Sequence, residues 1–227
     1  MKYKGIIFDF NGVLLSDSHL HEKAWKKFSK QLRGVSLSLE EISIHVHGRT
    51  NKYILEYILN RSITSQELNS LSFQKEALYQ NLCLQHMGEF HFSHGTVDLL
   101  DFLNKNDIPS TIATASDENN LKFFIEHLRL DKWFDISKIV YDDGSFLGKL
   151  DMYLKAAENL ELFPKQCIVF EDSKTGIIAA YKAKIGKIIG FGPKEKHEFL
   201  LNLKGVSQVI SSFDEFKKEE LLMFSKK

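Results

Sequence analysis

Short apolar runs alternate with amphipathic segments along most of this chain. Gly5-Ile6-Ile7-Phe8 is a continuous apolar run that stops at Asp9, the pattern of a strand buried on both faces. Comparable runs at 108–113, 136–140, 167–170, 187–191 and 206–210 predict further strands. Between them, apolar residues recur at helical spacing over 96–105, 117–128, 151–162 and 174–184. In the second of these, Leu121, Phe124, Ile125 and Leu128 share one face, and Pro164 stops the third. Strands that alternate with helices predict an α/β fold with a parallel sheet and helices on both sides. One stretch breaks the rhythm. From 16 to 91 there is no convincing central strand, while Leu20, Ala24, Trp25, Phe28 and Leu32 form one helical face. Ile54, Leu55, Ile58 and Leu59 repeat that pattern. The expected organisation is therefore an α/β core of 1–15 plus 92–227, with a helical domain of 16–91 inserted after the first strand.

Composition narrows the function classes. Thirty Lys and Arg balance thirty Asp and Glu, so there is no basic excess for a nucleic-acid surface. Only 13 Gly and 3 Pro among 227 residues exclude a collagen-like or low-complexity chain. No apolar window reaches the length of a membrane span or a signal peptide, and the cytoplasm is the expected compartment. Cys83 and Cys167 are far apart and form no CxxC pair, which removes support for a zinc or thioredoxin-like site. Cys167 opens an apolar run and reads as a small buried hydrophobe. His45 and His47 would share a face only on a strand; with no further ligands beside them, they read as surface or packing residues.

Parallel α/β sheets bind ligands beyond the carboxyl ends of their strands, so those ends carry the chemical information. A dinucleotide fingerprint begins at Gly190-Phe191-Gly192 but fails at Glu195. Gly148-Lys149 is followed by Leu150, not by the Ser or Thr of a phosphate loop, and no GxSxG occurs. The strand ends hold instead Asp9, then Thr114-Ala115-Ser116, then Glu171-Asp172, with Lys149 between the last two. Hard carboxylate oxygens suit Mg²⁺, which keeps places for substrate phosphate oxygens. A hydroxyl and an ammonium can hold the remaining oxygens, and a carboxylate can serve as nucleophile. Taken singly, each residue has a plainer reading as a helix cap or a solvated charge. Together, at ordered strand ends, they point to phosphoryl chemistry.

These residues resemble the motifs of the haloacid dehalogenase superfamily, in its β-phosphoglucomutase-like branch of sugar-phosphate phosphatases and mutases. The first motif is Asp9-Phe10-Asn11-Gly12-Val13-Leu14, the second Thr114-Ala115-Ser116, the third Lys149, and the fourth runs from Phe170 through Ile177. Leu20 to Trp25 and Gly48-Arg49-Thr50 resemble signatures of the branch's helical cap. The resemblance implies a Rossmann-like core with an inserted cap that closes over the site. It implies that Asp9 attacks the phosphoryl group to form an aspartyl phosphate, and that Thr114 and Lys149 bind phosphoryl oxygens. It implies Mg²⁺ held by Asp9, the backbone carbonyl of Asn11, Asp172 and Glu171. Ser116, His21, Arg49 and Lys75 are the expected substrate contacts, the last two as cap cations for an anionic group. A small phosphorylated metabolite is the expected partner, with neither nucleic acid nor membrane, and the chain is expected to be a monomer.

The chain departs from the family at one position of consequence. The branch carries a second Asp two residues after the nucleophile, where it protonates the leaving oxygen and later activates water. Here that residue is Asn11. An amide is not a general acid, and such catalysis is typically worth ~10²–10⁴-fold. Three outcomes stay open: a slow phosphatase that favours good leaving groups, a surrogate proton donor such as His19 or His21, or a protein that binds phosphorylated ligands without turnover. A phosphoglucomutase-type isomerase is the alternative enzyme reading. The loop Lys149-Leu150-Asp151 is also shorter than usual, and the Asp expected after the first motif falls at Ser16, with Asp17 beside it.

Overall fold

The computed structural model describes residues 3–218 and Leu221. Six parallel strands form one sheet in the order β3-β2-β1-β4-β5-β6. They are β1 (Gly5–Phe8), β2 (Ser110–Asp117), β3 (Val140–Asp142), β4 (Cys167–Glu171), β5 (Lys187–Phe191) and β6 (Val206–Ile210). The first strand lies in the middle, paired with β2 and β4, and Phe8 is level with Ile112 and Phe170. Its alternating side chains divide the interior. Ile6 and Phe8 join Ile168 and Phe170 in one apolar layer, while Ile7 joins Cys167 and Val169 in the other.

Helices cover both faces. On the first lie α5 (Thr96–Lys105) and α6 (Glu118–Leu128), which supply Leu99, Leu103, Leu121 and Phe124. On the second lie α7 (Lys149–Asn159) and α8 (Lys174–Lys182), which supply Met152, Tyr153, Ile177 and Ala180. A short α9 (His197–Leu201) adds Leu200 to that layer. Both cysteines are buried and free. No helix among the described residues is long and apolar enough to cross a membrane.

Between β1 and α5 run α1 (Ser18–Arg33), α2 (Leu39–His45), α3 (Asn51–Leu59) and α4 (Ser65–Gln85). Their own apolar cluster contains Trp25, Phe28, Ile42, Ile54, Leu55 and Ile58. Local chemistry sets the starts of two of these helices. Ser38 with Glu41, and Thr64 with Glu67, form reciprocal capping boxes. Two helices face both ways: Leu20 and Ala24 of α1, with Tyr79 and Leu82 of α4, pack into the core layer beneath.

Three boundaries differ from the sequence reading. The strand expected over 136–140 begins only at Val140; residues Ile136–Lys138 form a 3₁₀ turn because Asp135 caps it by accepting from the Ser137 N–H. Strand β2 runs on to Asp117, so the Thr114–Ser116 segment is strand rather than the loop after it. Helix α7 starts at Lys149 instead of Asp151, which places the lysine in its first turn.

Candidate active site

The three central strands end side by side, and their termini build the floor of a cleft roofed by α1, α3, α4 and the turn after α2. Asp9 follows β1, Thr114 and Ser116 close β2, and Glu171 ends β4. Lys149 reaches in from α7: its Nζ lies 2.5 Å from Asp9 Oδ2 and 2.8 Å from Glu171 Oε2. Asp9, Glu171 and Asp172 each bring a carboxylate oxygen to within 4.8 Å of the others. Asp172 packs closely against Gly12, whose φ is +80°; a Cβ there would clash with Asp172 Oδ2.

The floor is unbalanced in charge, with the buried carboxylates of Asp9 and Glu171 and the half-buried one of Asp172 facing one ammonium. Burial, then Glu171, push the Asp9 carboxyl well above its usual range, while Lys149 opposes them. Burial and Glu171 likewise raise Asp172 to about 8. Glu171 goes the other way. Burial works against its charge, but Lys149 and hydrogen bonds outweigh that and hold it at about 2. Its Oε1 accepts from the Asp172 and Ser173 N–H groups and the Ser173 hydroxyl, and its Oε2 accepts from Lys149 and the Tyr153 hydroxyl. Glu171 therefore fastens the lysine and the start of α8. A divalent cation fits this donor set: the oxygens are hard, closely grouped and short of positive charge.

Asn11 stands at the mouth of this floor in a fixed orientation. Its Nδ2 donates to Asp17 Oδ2 at 2.7 Å, and its Oδ1 accepts from the Ser116 hydroxyl at 2.7 Å. Asp17 is completely buried, accepts also from the Gly12 N–H and the Tyr79 hydroxyl, and is raised to about 6 by burial. Because an ionised Asp17 can only accept, the amide nitrogen must face it. The acid that the first motif lacks thus has a carboxylate one layer behind it.

The roof carries the remaining expected residues. His21, Arg49 and Lys75 line the cleft together with Asp9, Asn11, Thr114, Ser116, Lys149 and Asp172. Glu171 lies beneath it, fully buried. His21 stacks on Tyr79 at 3.7 Å, and burial, then Lys75, push its pKa well below the usual value. Its Nδ1 faces the Lys75 ammonium at 3.1 Å and must accept, so the ring proton sits on Nε2. That nitrogen is 3.4 Å from Asp17 Oδ2 but too poorly aligned for a hydrogen bond. Both ring nitrogens are therefore turned to protein groups. His19 lies away from the cleft, half exposed and paired with Glu89 at 2.7 Å.

Sequence reasoning passed over several residues. His47, read as surface or packing, lines the cleft and pairs with Glu22 at 3.1 Å. His45 ends α2 and stacks on Tyr57 at 3.8 Å, so the two histidines share neither strand nor face. Asp17 and Glu76 were not singled out. The sequence signal for Asp17 was its place beside the expected Asp position; for Glu76 it was only a charge next to Lys75 on an otherwise apolar helix face. Gly48 links roof to floor, since a Cβ on it would lie 2.4 Å from the Ser173 hydroxyl.

With this geometry in place, comparisons with known proteins are informative. Residues 3–184 match the family description of haloacid dehalogenase-like hydrolases. A crystal structure of a HAD hydrolase, family IA, variant 3, from Entamoeba histolytica superposes with a TM-score of 0.85 at 38% identity, covering 100% of both chains. The β-phosphoglucomutase of Bacillus subtilis is 30% identical over 79% of this chain and 80% of its own. A chloroplastic 5-amino-6-(5-phospho-D-ribitylamino)uracil phosphatase of Arabidopsis thaliana is 26% identical over 80% of this chain, which spans about half of that enzyme, 48%. The family match over residues 3–184, together with relatives 38% and 30% identical over most of both chains, shows that the chain belongs to the haloacid dehalogenase-like hydrolases.

Proposed function

We propose that this enzyme is a Mg²⁺-dependent phosphatase of a small phosphorylated metabolite of the sugar-phosphate class. The observation that carries the reading is the floor: Asp9 held against Lys149 at 2.5 Å, within a group of three carboxylates, under a cleft lined by Thr114 and Ser116. Two of the relatives named above are, by their names, a 5-amino-6-(5-phospho-D-ribitylamino)uracil phosphatase and a β-phosphoglucomutase.

Asp9, Asp172 and the backbone carbonyl of Asn11 would hold the metal, with Glu171 behind them. Bound there, the metal would neutralise phosphoryl charge and orient the group for attack. Lys149 and Thr114 hold the other phosphoryl oxygens, so the charge that spreads in the transition state meets fixed donors. Asp9 attacks phosphorus, the bond to the substrate oxygen breaks, and an aspartyl phosphate forms. Water then attacks that phosphorus and frees Asp9. The helices α1–α4 act as a cap that excludes bulk water until the ester has reacted. Asn11 can donate a hydrogen bond to the leaving oxygen but no proton. Turnover is therefore slow for alkyl esters and faster for acyl or aryl phosphates, whose leaving groups need no acid.

Phosphate release from a panel of sugar, aryl and acyl phosphates, with Mg²⁺ and with chelator, tests this reading. We expect metal-dependent release that favours acyl and aryl phosphates, and a loss of roughly 10³-fold or more in Asp9→Asn, as for removal of other nucleophiles. Undiminished turnover in Asp9→Asn would remove the nucleophile assignment.

A further inference from the structure

The roof of the cleft is built differently from an anion receptor. Lys75 and Glu76 are consecutive on α4, and both are buried, at 1% and 2% exposed. The Lys75 ammonium donates to both Glu76 oxygens at 2.9 Å and to His21 Nδ1 at 3.1 Å. An ammonium has three N–H donors, so all of them are used inside the protein. Glu76 is equally occupied. Asn51 Nδ2 reaches its Oε1 at 2.7 Å, and Asn120 Nδ2, from the core helix α6, reaches its Oε2 at 2.5 Å. The roof's second acid, Glu22, is the partner of His47. Of the roof cations that line the cleft, Arg49 is the one without an ion pair among the described residues. Its guanidinium lies 4.5 Å over the Tyr53 ring, and its buried Nε has no hydrogen-bond partner.

We infer that the cleft selects a substrate with one phosphate and an uncharged remainder, and that Glu76 determines this specificity by withdrawing Lys75 from the substrate. The inference rests on the phosphatase reading above and deepens it. The floor supplies Lys149 and a metal site for one phosphoryl group. A second phosphate carries close to two negative charges at neutral pH, and it would meet one free guanidinium, because the Lys75 ammonium is already matched by Glu76. Asp117, at the start of α6, adds to the negative potential on that side; burial and Glu76 raise its pKa to about 6. Like charges brought together in a closed site act against binding. A mutase must seat a sugar bisphosphate in this same space, so the Lys75–Glu76 pair disfavours that chemistry as well.

The test compares hexose 1- and 6-monophosphates with hexose 1,6-bisphosphate. Hydrolysis gives kcat/KM for each, and calorimetry on Asp9→Asn with Mg²⁺ gives affinity where turnover is blocked. The natural protein should favour the monophosphates by about ten-fold or more, the size of a single like-charge contact at partial burial. Glu76→Gln keeps the volume, releases Lys75, and should bring the ratio to within about three-fold of unity, on the same electrostatic scale. Equal or tighter binding of the bisphosphate by the unsubstituted roof overturns the inference, and this measurement does not depend on the folding of the Glu76 variant. A folded Glu76→Gln protein with an unchanged ratio overturns the role of Glu76. Monophosphate-selective binding with no turnover of any ester would refute the phosphatase reading and leave the selectivity of the cleft standing.

Discussion

The floor and the roof of the cleft use similar residues to opposite ends. Below, Asp9, Glu171 and Asp172 converge on the single ammonium of Lys149. Above, Lys75 is matched by Glu76, and Glu22 by His47. The floor is left short of positive charge, and the roof is settled. Buried charge is tolerated only when paired or when a ligand completes it. The floor accordingly suits a cation, whereas the roof can accept a neutral polar body without adding charge. Counting cationic residues around a pocket does not reveal this difference; the partner of each one does.

The comparison can be broken at several points. The largest expected effect is on the floor. Among the described residues, Lys149→Met removes the one ammonium paired with Asp9 and Glu171, and loss of one partner of a buried pair typically costs about 3–5 kcal/mol. Denaturant unfolding should show that loss, and a change under 1 kcal/mol would mean the floor is not electrostatically dependent on the lysine.

Asp17 gives the next effect, and its sign can be worked out. Its folded pKa is about 6, above the ordinary aspartate value of 3.8, so the folded state binds the proton more tightly than the unfolded chain. The stability it contributes is present below about pH 4 and is lost as pH rises through about 6. A rise from 3.8 to about 6 corresponds to about 3 kcal/mol. Asp17→Asn should therefore gain on the natural protein by up to that amount between pH 4 and pH 7, read as the difference in unfolding free energy. A pH-independent difference would place the titration elsewhere.

Metal should act on the floor in the same direction as Lys149. At a hundred times its dissociation constant, Mg²⁺ should stabilise the fold by about 2.7 kcal/mol. Chelator should reverse the gain, and Asp172→Asn should abolish it; calorimetric melting reads both. An equal gain in Asp172→Asn would move the metal away from this cluster.

The smallest expected effect sharpens the junction between the two regions. Asn11→Asp restores the family's acid, but 2.7 Å from an Asp17 oxygen, where two carboxyl groups must share a proton. We expect a gain in kcat on alkyl phosphates of about ten-fold for the single variant and about a hundred-fold with Asp17→Asn added, within the range of general acid–base catalysis. Equal rates in the single and double variants would show that Asp17 does not couple to this position.

The sequence exposed the floor because its residues sit where the chain changes pattern. Asp9, Thr114 and Glu171 each interrupt an apolar run, and a buried parallel strand must end where polar side chains begin. Sheet order then brings them together, because β2, β1 and β4 are neighbours. The roof had no such punctuation. Lys75 reads as a free cation because its partners are set by packing: His21 reaches it from α1, and its neighbour Glu76 is itself held by Asn51 of α3 and Asn120 of α6. Asp17 was noticed only as a displaced neighbour of Ser16, since nothing local shows that α1 turns it inward beneath Asn11.

What the chain determined alone was the alternation of strand and helix, the helical stretch after the first strand, and the three polar clusters at strand ends. These follow from local periodicity and from the abrupt end of buried runs. Only the tertiary structure decided which charges are free. It closed Lys75 on Glu76, set Asp17 behind Asn11, turned His19 out to Glu89 and left Arg49 without an ion pair. The reason is physical: whether a charge is available depends on the distance to its partner and on burial, and both are created by packing between segments remote in sequence.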